Sequence, residues 1–250
     1  MTRQRAPGAS AEAVVAESSQ PAGRASNRIL QSLPSQDRAR LLATVQPVSV
    51  ALGEVVCEPG KLVDYVYLPT TAVFSSLYTT EDGATTEMFL VGSDGIVGVA
   101  SFLGGGVTPN QDVVVVAGEA LKMKASALRD EFRQGGALQA LLLRYTQALI
   151  TQISQTAVCN RLHAVEQRLC RWLLMCRDRV DHDDLEMTQE FISNMLGGRR
   201  ETVTVAAGRL QDAGLIRYSR GHITIVDRRG LEALVCECYL VVETAVVGSL

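Results

Sequence analysis

"TQEFISNMLGGRRETVTVAAGRLQDAGLI", residues 188–216, holds two short helical segments separated by a pair of glycines. Thr188 is placed to cap the first, "QEFISNML", and Gly197-Gly198 turns the chain into the second. On a helical wheel, Val203, Ala206, Ala207 and Leu210 of the second segment gather on one side as a core stripe. Glu201, Thr204, Val205, Gly208 and Asp212 gather opposite, flanked by Arg200 and Gln211. A helix that turns Gly and Val outward suits a close approach, and the major groove of DNA admits a helix. A solvated amphipathic helix, with Glu201 complementing its N-terminus, is the alternative at this point.

The flanking sequence narrows the choice. "AVEQRLCRWLLMCRDRV" upstream is amphipathic, with Val165, Leu169, Trp172, Leu173 and Cys176 inward, and an acidic "DHDDLE" loop follows it. Downstream, "LIRYSRGHITIV" reads as a hairpin with Ser219-Arg220-Gly221 at its tip. The order is helix, helix–turn–helix, then a two-stranded wing. Net charge over the whole chain is −3, yet Gly197–Gly230 carries seven arginines against three acidic residues, a local +4 on a body of −7. A basic patch on an acidic body is an electrostatic footprint for nucleic acid that the average conceals. Arg200 suits a guanine edge and Glu201 a cytosine amino group, with Thr204 and Val205 completing the base-reading face. Thr188, Arg199, Arg209, Arg217, Ser219, Arg220 and His222 are the expected phosphate contacts.

Further upstream the periodicity changes twice. Short β-rich runs between residues 48 and 124 ("DYVYL", "AVFSSLYT", "TEMFLV", "VVVVAG", "ALKMK") are broken by glycine-bearing turns, with Asp82-Gly83 as a hairpin signal. That spacing predicts a small antiparallel barrel or sandwich. "SLPSQDRARLLATV" before it reads as a short helix with Ser35 or a neighbour as cap and Leu41, Leu42 and Val45 inward. After it, "SALRDEFRQGG" is a helix broken by Gly135-Gly136, and a long helix runs from about Ala137 to His163. Leu138, Leu142, Tyr145, Leu149 and Ile153 recur along it at three- and four-residue steps. The length favours a seam with a partner helix; packing on the chain's own barrel is the other reading.

The expected organisation is a disordered tail (1–26), a β-roll (27–134), a dimerisation helix (135–163) and a winged helix–turn–helix (164–250). The fold class is α+β. The last twenty residues are expected as a helix on the wing or barrel. Hydrophobic residues make up 47% and charged residues 20%, the composition of a globular protein. No apolar run is long and clean enough to span a bilayer or serve as a leader, so a cytoplasmic, membrane-free protein is expected.

The order of parts, with "RETV" opening the second helix and "DAGLI" closing it, resembles the Crp/Fnr family of bacterial transcription regulators. "GE…PG…YVYLP" and "GSDGIVG" fall in the order of that family's barrel turns. The resemblance runs from about Leu33 to Val226. It implies a homodimer on double-stranded DNA, reading a pseudo-palindrome, with activation or repression and contact with RNA polymerase as family options. It also places an effector pocket at Gly98, Val99, Asn110 and Gln111. Cyclic-nucleotide-binding members pair that Gly with a Glu for the ribose and use an Arg-Ser pair for the phosphate. Here Val99 and Asn110-Gln111 occupy those places, so ordinary cyclic-nucleotide control is not expected. Gly104–Gly106 forms either an anion nest or a flexible hairpin. Val205 stands where many members carry a second Arg, and Gly208 replaces a further cation.

Other chemistries find little support. The three histidines (163, 182, 222) and six cysteines (57, 159, 170, 176, 236, 238) show no nucleophile–base pattern and no metal-ligand spacing. If helical, Cys170 and Cys176 diverge by about 120°, and Cys236 and Cys238 by about 160°. Each is therefore expected as a packing or surface thiol, with no metal and no cofactor. His163 is left as haem ligand, hinge residue or plain surface histidine. An enzyme is not expected. The competing function is a β-roll sensor that signals by protein docking, with the wing domain as docking surface.

Overall fold

A computed structural model describes residues 26–250 of the chain. The expected tail, residues 1–26, lies outside the described residues but for Ser26. The described residues open with α1 (Arg28–Gln31), α2 (Ser35–Leu42), β1 (Val45–Val50), β2 (Val55–Cys57) and β3 (Tyr65–Pro69). It continues through β4 (Val73–Thr79), β5 (Thr85–Val91), β6 (Gln111–Val116), β7 (Gly118–Lys124) and α3 (Ala125–Arg133). The long α4 (Gly136–Leu162) and α5 (Val165–Arg177) follow, then β8 (Asp184–Glu186), α6 (Gln189–Leu196) and α7 (Arg200–Asp212). β9 (Ile216–Ser219), β10 (His222–Ile225), α8 (Arg228–Leu234) and α9 (Cys238–Ser249) complete it.

β1–β7 form two antiparallel sheets, ordered β1-β7-β3 and β2-β6-β4-β5. Asp82-Gly83 sits in the β4–β5 turn, and Gly83 takes φ +87, which a side chain resists. Asn27, unremarked in the sequence, caps α1 from a buried position and pins it to the roll through Pro69 and Gly95 carbonyls. α2 begins after Pro34 with no side-chain cap, and Leu42, expected inward, is exposed.

The four-stranded sheet is buried on both faces. Phe74 and Val114 point into the roll with Val66, Met123 and Leu142. Val73, Val113 and Val115 point the other way, onto α5. That two-sided burial explains the unbroken "VVVV" run, which alternation alone does not predict. It also explains α5, where every residue from Leu169 to Cys176 is buried between the roll and the helix–turn–helix.

α4 lies with its first half inside this arrangement. Leu138, Leu142, Tyr145 and Leu149, expected as a seam for a partner helix, are buried in the chain's own β-roll core, with Ile153 half-buried against it. Tyr145 donates to the Ile96 carbonyl at 3.3 Å, and Gly95 lies so close that a Cβ there would meet the Tyr145 oxygen at 2.3 Å. The four buried residues are not available to a partner. α4 exposes a different stripe: Ala140, Leu143, Gln147, Ile150, Ser154 and Ala157, in alternating steps of three and four. Leu143 and Ile150 are 50% and 51% exposed.

The C-terminal segment differs from expectation too. It forms two helices, and α9 packs along α4 rather than on the wing, with the Arg144 guanidinium donating to the Ser249 carbonyl. The wing is three-stranded, β8-β10-β9, because the acidic loop contributes β8.

Candidate nucleic-acid interface

The helix–turn–helix is fixed from three sides. Thr188 Oγ1 accepts from the Phe191 amide at 3.1 Å and starts α6. Gly197 ends it at φ +57, the left-handed cap that favours glycine, and a Cβ added there would lie 2.8 Å from the Thr86 hydroxyl of the β4–β5 hairpin. From α5, the Arg168 guanidinium donates to the Leu196 carbonyl at the end of α6. Val203, Ala206, Ala207 and Leu210 then bury one side of α7 against Leu169, Leu173 and Ile223.

The opposite side of α7 is open. Arg200, Glu201, Thr204 and Val205 are all exposed, Val205 by 53%, and the Thr204 hydroxyl donates back to the Arg200 carbonyl. Arg199 precedes α7 in extended conformation, also exposed. At the wing tip, Arg220 and Gly221 take φ +51 and +85, the pair of positive values that a two-residue hairpin turn requires. Arg217, Ser219, Arg220 and His222 are exposed there, and His222 Nδ1 lies 3.4 Å from Asp184 of β8.

Arg209, one of the expected phosphate contacts, is exposed, and its guanidinium pairs with Glu166 at the start of α5. The Glu166 carboxyl is held below its ordinary value, first by a backbone hydrogen bond at the helix start and then by Arg209.

Of the expected effector residues, Gly98 is buried in the roll, and Val99, Asn110 and Gln111 are half-buried. Gly98, at φ +92, leads into a single 3-10 turn at Val99–Ser101, and the Val99 side chain packs on the core. The Gly106 amide donates to the Ala100 carbonyl, so it is engaged within this loop and not offered to an anion. Asn110 donates to Ser76 at 3.3 Å, and Gln111 begins β6. Beside them, Asp112 is buried against Ser76, and burial pushes its carboxyl up to about 6.

All six cysteines are free and buried, so none is a surface thiol. Burial pushes Cys57 up to about 11 and Cys170 up to about 12, the state of inert packing thiols. Cys159, Cys236 and Cys238 behave differently: with His163 they bring one ligand atom each to within 4.8 Å of one another. The expectation of no metal-ligand grouping fails here. Cys236 lies in the loop before α9 and not on the helix, so a helical angle between it and Cys238 does not apply. Nor does sequence spacing pair Cys159 with Cys236 across 77 positions.

Residues 167–234, the span just described, match the Crp-like helix-turn-helix domain family. A curated relative, a CRP-like cAMP-activated global transcriptional regulator of Mycobacterium tuberculosis, is 24% identical over 213 residues, covering 81% of this chain and 94% of the relative. The stretch 167–234 of the chain therefore carries a Crp-like helix-turn-helix domain. Solved structures share the fold of this chain at low identity. A putative crp/fnr regulator from Eubacterium rectale superposes with a TM-score of 0.65 at 15% identity, covering 82% of this chain and 96% of that one. FixK2 from Bradyrhizobium japonicum gives 0.61 at 17% identity, covering 77% and 98%. The Crp/Fnr family is one of transcription regulators and not of enzymes. Among the described residues no helix is long and apolar enough to cross a membrane.

Proposed function

We propose that this chain is a homodimeric, cytoplasmic Crp/Fnr-type regulator that reads a pseudo-palindromic DNA site through the open face of α7. The observation that carries this reading is the exposed group Arg200, Glu201, Thr204 and Val205, flanked by Arg199 and by the wing residues Arg217, Ser219 and Arg220. In the groove, Arg200 suits guanine O6 and N7, Glu201 a cytosine amino group and Val205 a thymine methyl. Thr188, the flanking arginines and His222 hold phosphates and set register. Two copies place two such helices about 34–36 Å apart, in successive major grooves.

The stripe from Ala140 to Ala157 supports pairing through α4. Its steps repeat every seven residues and it is uncovered in the single chain, as a coiled-coil seam requires. On this reading the domains divide as the sequence suggests, with α4 as dimer helix and the loop at His163 as hinge. Contact with RNA polymerase belongs to the same reading.

The Mycobacterium tuberculosis relative is named as cAMP-activated, but that ligand does not transfer at this identity. Val99 has no hydrogen-bonding group for a ribose hydroxyl, and neither Asn110 nor Gln111 carries charge for a phosphate. The β-roll is therefore read as independent of ordinary cyclic-nucleotide binding.

The test is selection of bound fragments from a random duplex library at near-physiological salt, with wild type and Arg200→Ala. The expected result is a two-fold-symmetric motif, with preference lost at one base pair per half-site in the variant. Absence of binding even at low salt would sink the reading and favour a docking module.

A further inference from the structure

Three buried thiols and one imidazole meet at the junction between α4 and the C-terminal segment. Cys159 and His163 lie one helical turn apart at the end of α4, on the same face. Cys236 and Cys238 bracket Glu237 at the start of α9. Cys159, Cys236 and Cys238 are at most 3% exposed and form a cluster of their own, separate from both large cores. Cys159 Sγ lies 3.6 Å from Cys236 Sγ, and Cys238 Sγ lies 3.6 Å from His163 Nδ1.

We propose that Cys159, His163, Cys236 and Cys238 form a tetrahedral site for one divalent ion of the zinc class. The distances decide the nuclearity. Sulfurs about 2.3 Å from a tetrahedral ion lie about 3.7 Å from one another, and a ring nitrogen at about 2.0–2.1 Å lies slightly closer to them. The observed 3.6 Å pairs, with all four atoms inside 4.8 Å, match a single ion. A polynuclear iron–sulfur cluster places its own irons and sulfides between the ligands and holds them further apart. Three thiolates and one imidazole are a recognised structural zinc donor set, closed to water.

The surroundings fit the same reading. His163 turns Nδ1 toward Cys238, and its other nitrogen, Nε2, lies 3.4 Å from the Glu237 carboxylate. That is the arrangement in which a carboxylate fixes the tautomer and orientation of a metal-bound histidine. A divalent ion with three thiolates and a neutral imidazole carries one negative charge. Arg168 and Arg171 of α5 lie within electrostatic reach of the cluster. Because the ion takes all three sulfurs as thiolates, zinc affinity falls as pH is lowered. Because His163 caps the end of α4 directly before Ala164, the N-cap of α5, the bound ion ties the hinge to α9.

The experiment uses tag-free, full-length protein purified anaerobically under reducing conditions. Elemental analysis is expected to find about one zinc per chain. After chelation, Co2+ titration should develop thiolate-to-cobalt charge transfer and the intense d–d bands of a tetrahedral site, saturating at one equivalent. Cys238→Ser and His163→Asn should each weaken zinc binding at least 10-fold, and Glu237→Gln about 10-fold with little change in the cobalt bands. Cys170→Ser, in the main core, should leave binding unchanged. If Cys238→Ser does not fold, the wild-type cobalt spectrum and the exposed Glu237→Gln variant still decide. A folded wild type that takes up no Co2+ overturns the proposal. So does a Cys159–Cys236 disulfide in the freshly isolated protein, or iron and sulfide in place of zinc. None of these readouts depends on DNA, so they fail or succeed independently of the DNA-binding reading.

Discussion

Trp172 Nε1 donates a 2.9 Å hydrogen bond to Glu87 Oε2, and the same oxygen accepts from the Ser75 hydroxyl at 2.7 Å. Glu87 belongs to β5 of the roll and Trp172 to α5 beneath the helix–turn–helix, so this buried contact joins the two halves of the chain. Burial raises the Glu87 carboxyl, opposed by Trp172 and Ser75 and by the field of Arg171 and Arg179. A second link, Arg179 to Asp94 at 2.8 Å, runs parallel to it and is also buried.

Removing the Trp172 donor leaves a buried carboxyl short of a partner, which costs about 1–3 kcal/mol. Trp172→Phe and Glu87→Gln should each destabilise, and the double variant should lose less than the sum of the two. Urea denaturation followed by circular dichroism measures all three. The chain has a single tryptophan, so the emission of Glu87→Gln reports this contact directly. Additive losses would mean that the two residues do not act on each other.

Asp112 sets a pH dependence of opposite sign to that of a salt-bridged carboxylate. Its folded value is raised from 3.8 to about 6, so the native state keeps a proton that the unfolded chain releases near pH 4. Stability from this group is present below pH 4 and falls as pH rises to about 6, by at most about 3 kcal/mol. Asp112→Asn should flatten that slope and raise stability at pH 7. Denaturation midpoints across pH 4–7 provide the check, and an unchanged slope would contradict it.

Leu142 and Leu143 are neighbours in sequence with opposite roles. Leu142→Ala should cost about 2–5 kcal/mol, because it empties part of the roll core. Leu143→Glu with Ile150→Glu should leave the chain's fold intact and convert a dimer to monomer in sedimentation. A folded dimer that survives both glutamates would place the seam elsewhere.

Arg200 and Arg209 lie on the same helix but differ in availability. Arg200→Ala should lower specific DNA affinity by about 1–3 kcal/mol. Arg209→Ala breaks the exposed pair with Glu166 and should change DNA affinity several-fold less. Fluorescence anisotropy on the selected site compares the two. Equal losses would mean that the Glu166 pair does not keep Arg209 from the phosphates.

The sequence by itself determined the order of parts. Helical periods, glycine turns and the arginine density of residues 197–230 act over a few neighbouring positions, so the helix–turn–helix, the wing hairpin and the length of α4 were legible without coordinates. It did not determine which side of α4 faces the chain's own core. Leu138, Leu142, Tyr145 and Leu149 make one apolar stripe, Leu143 and Ile150 another, and periodicity ranks neither. Only the roll, by covering the first, decides. The same holds for Arg209, whose partner Glu166 is 43 residues away, and for Cys159, His163, Cys236 and Cys238. Their spacing is silent because two segments far apart in the chain supply the ligands, and packing α9 along α4 is what brings them within reach of one ion.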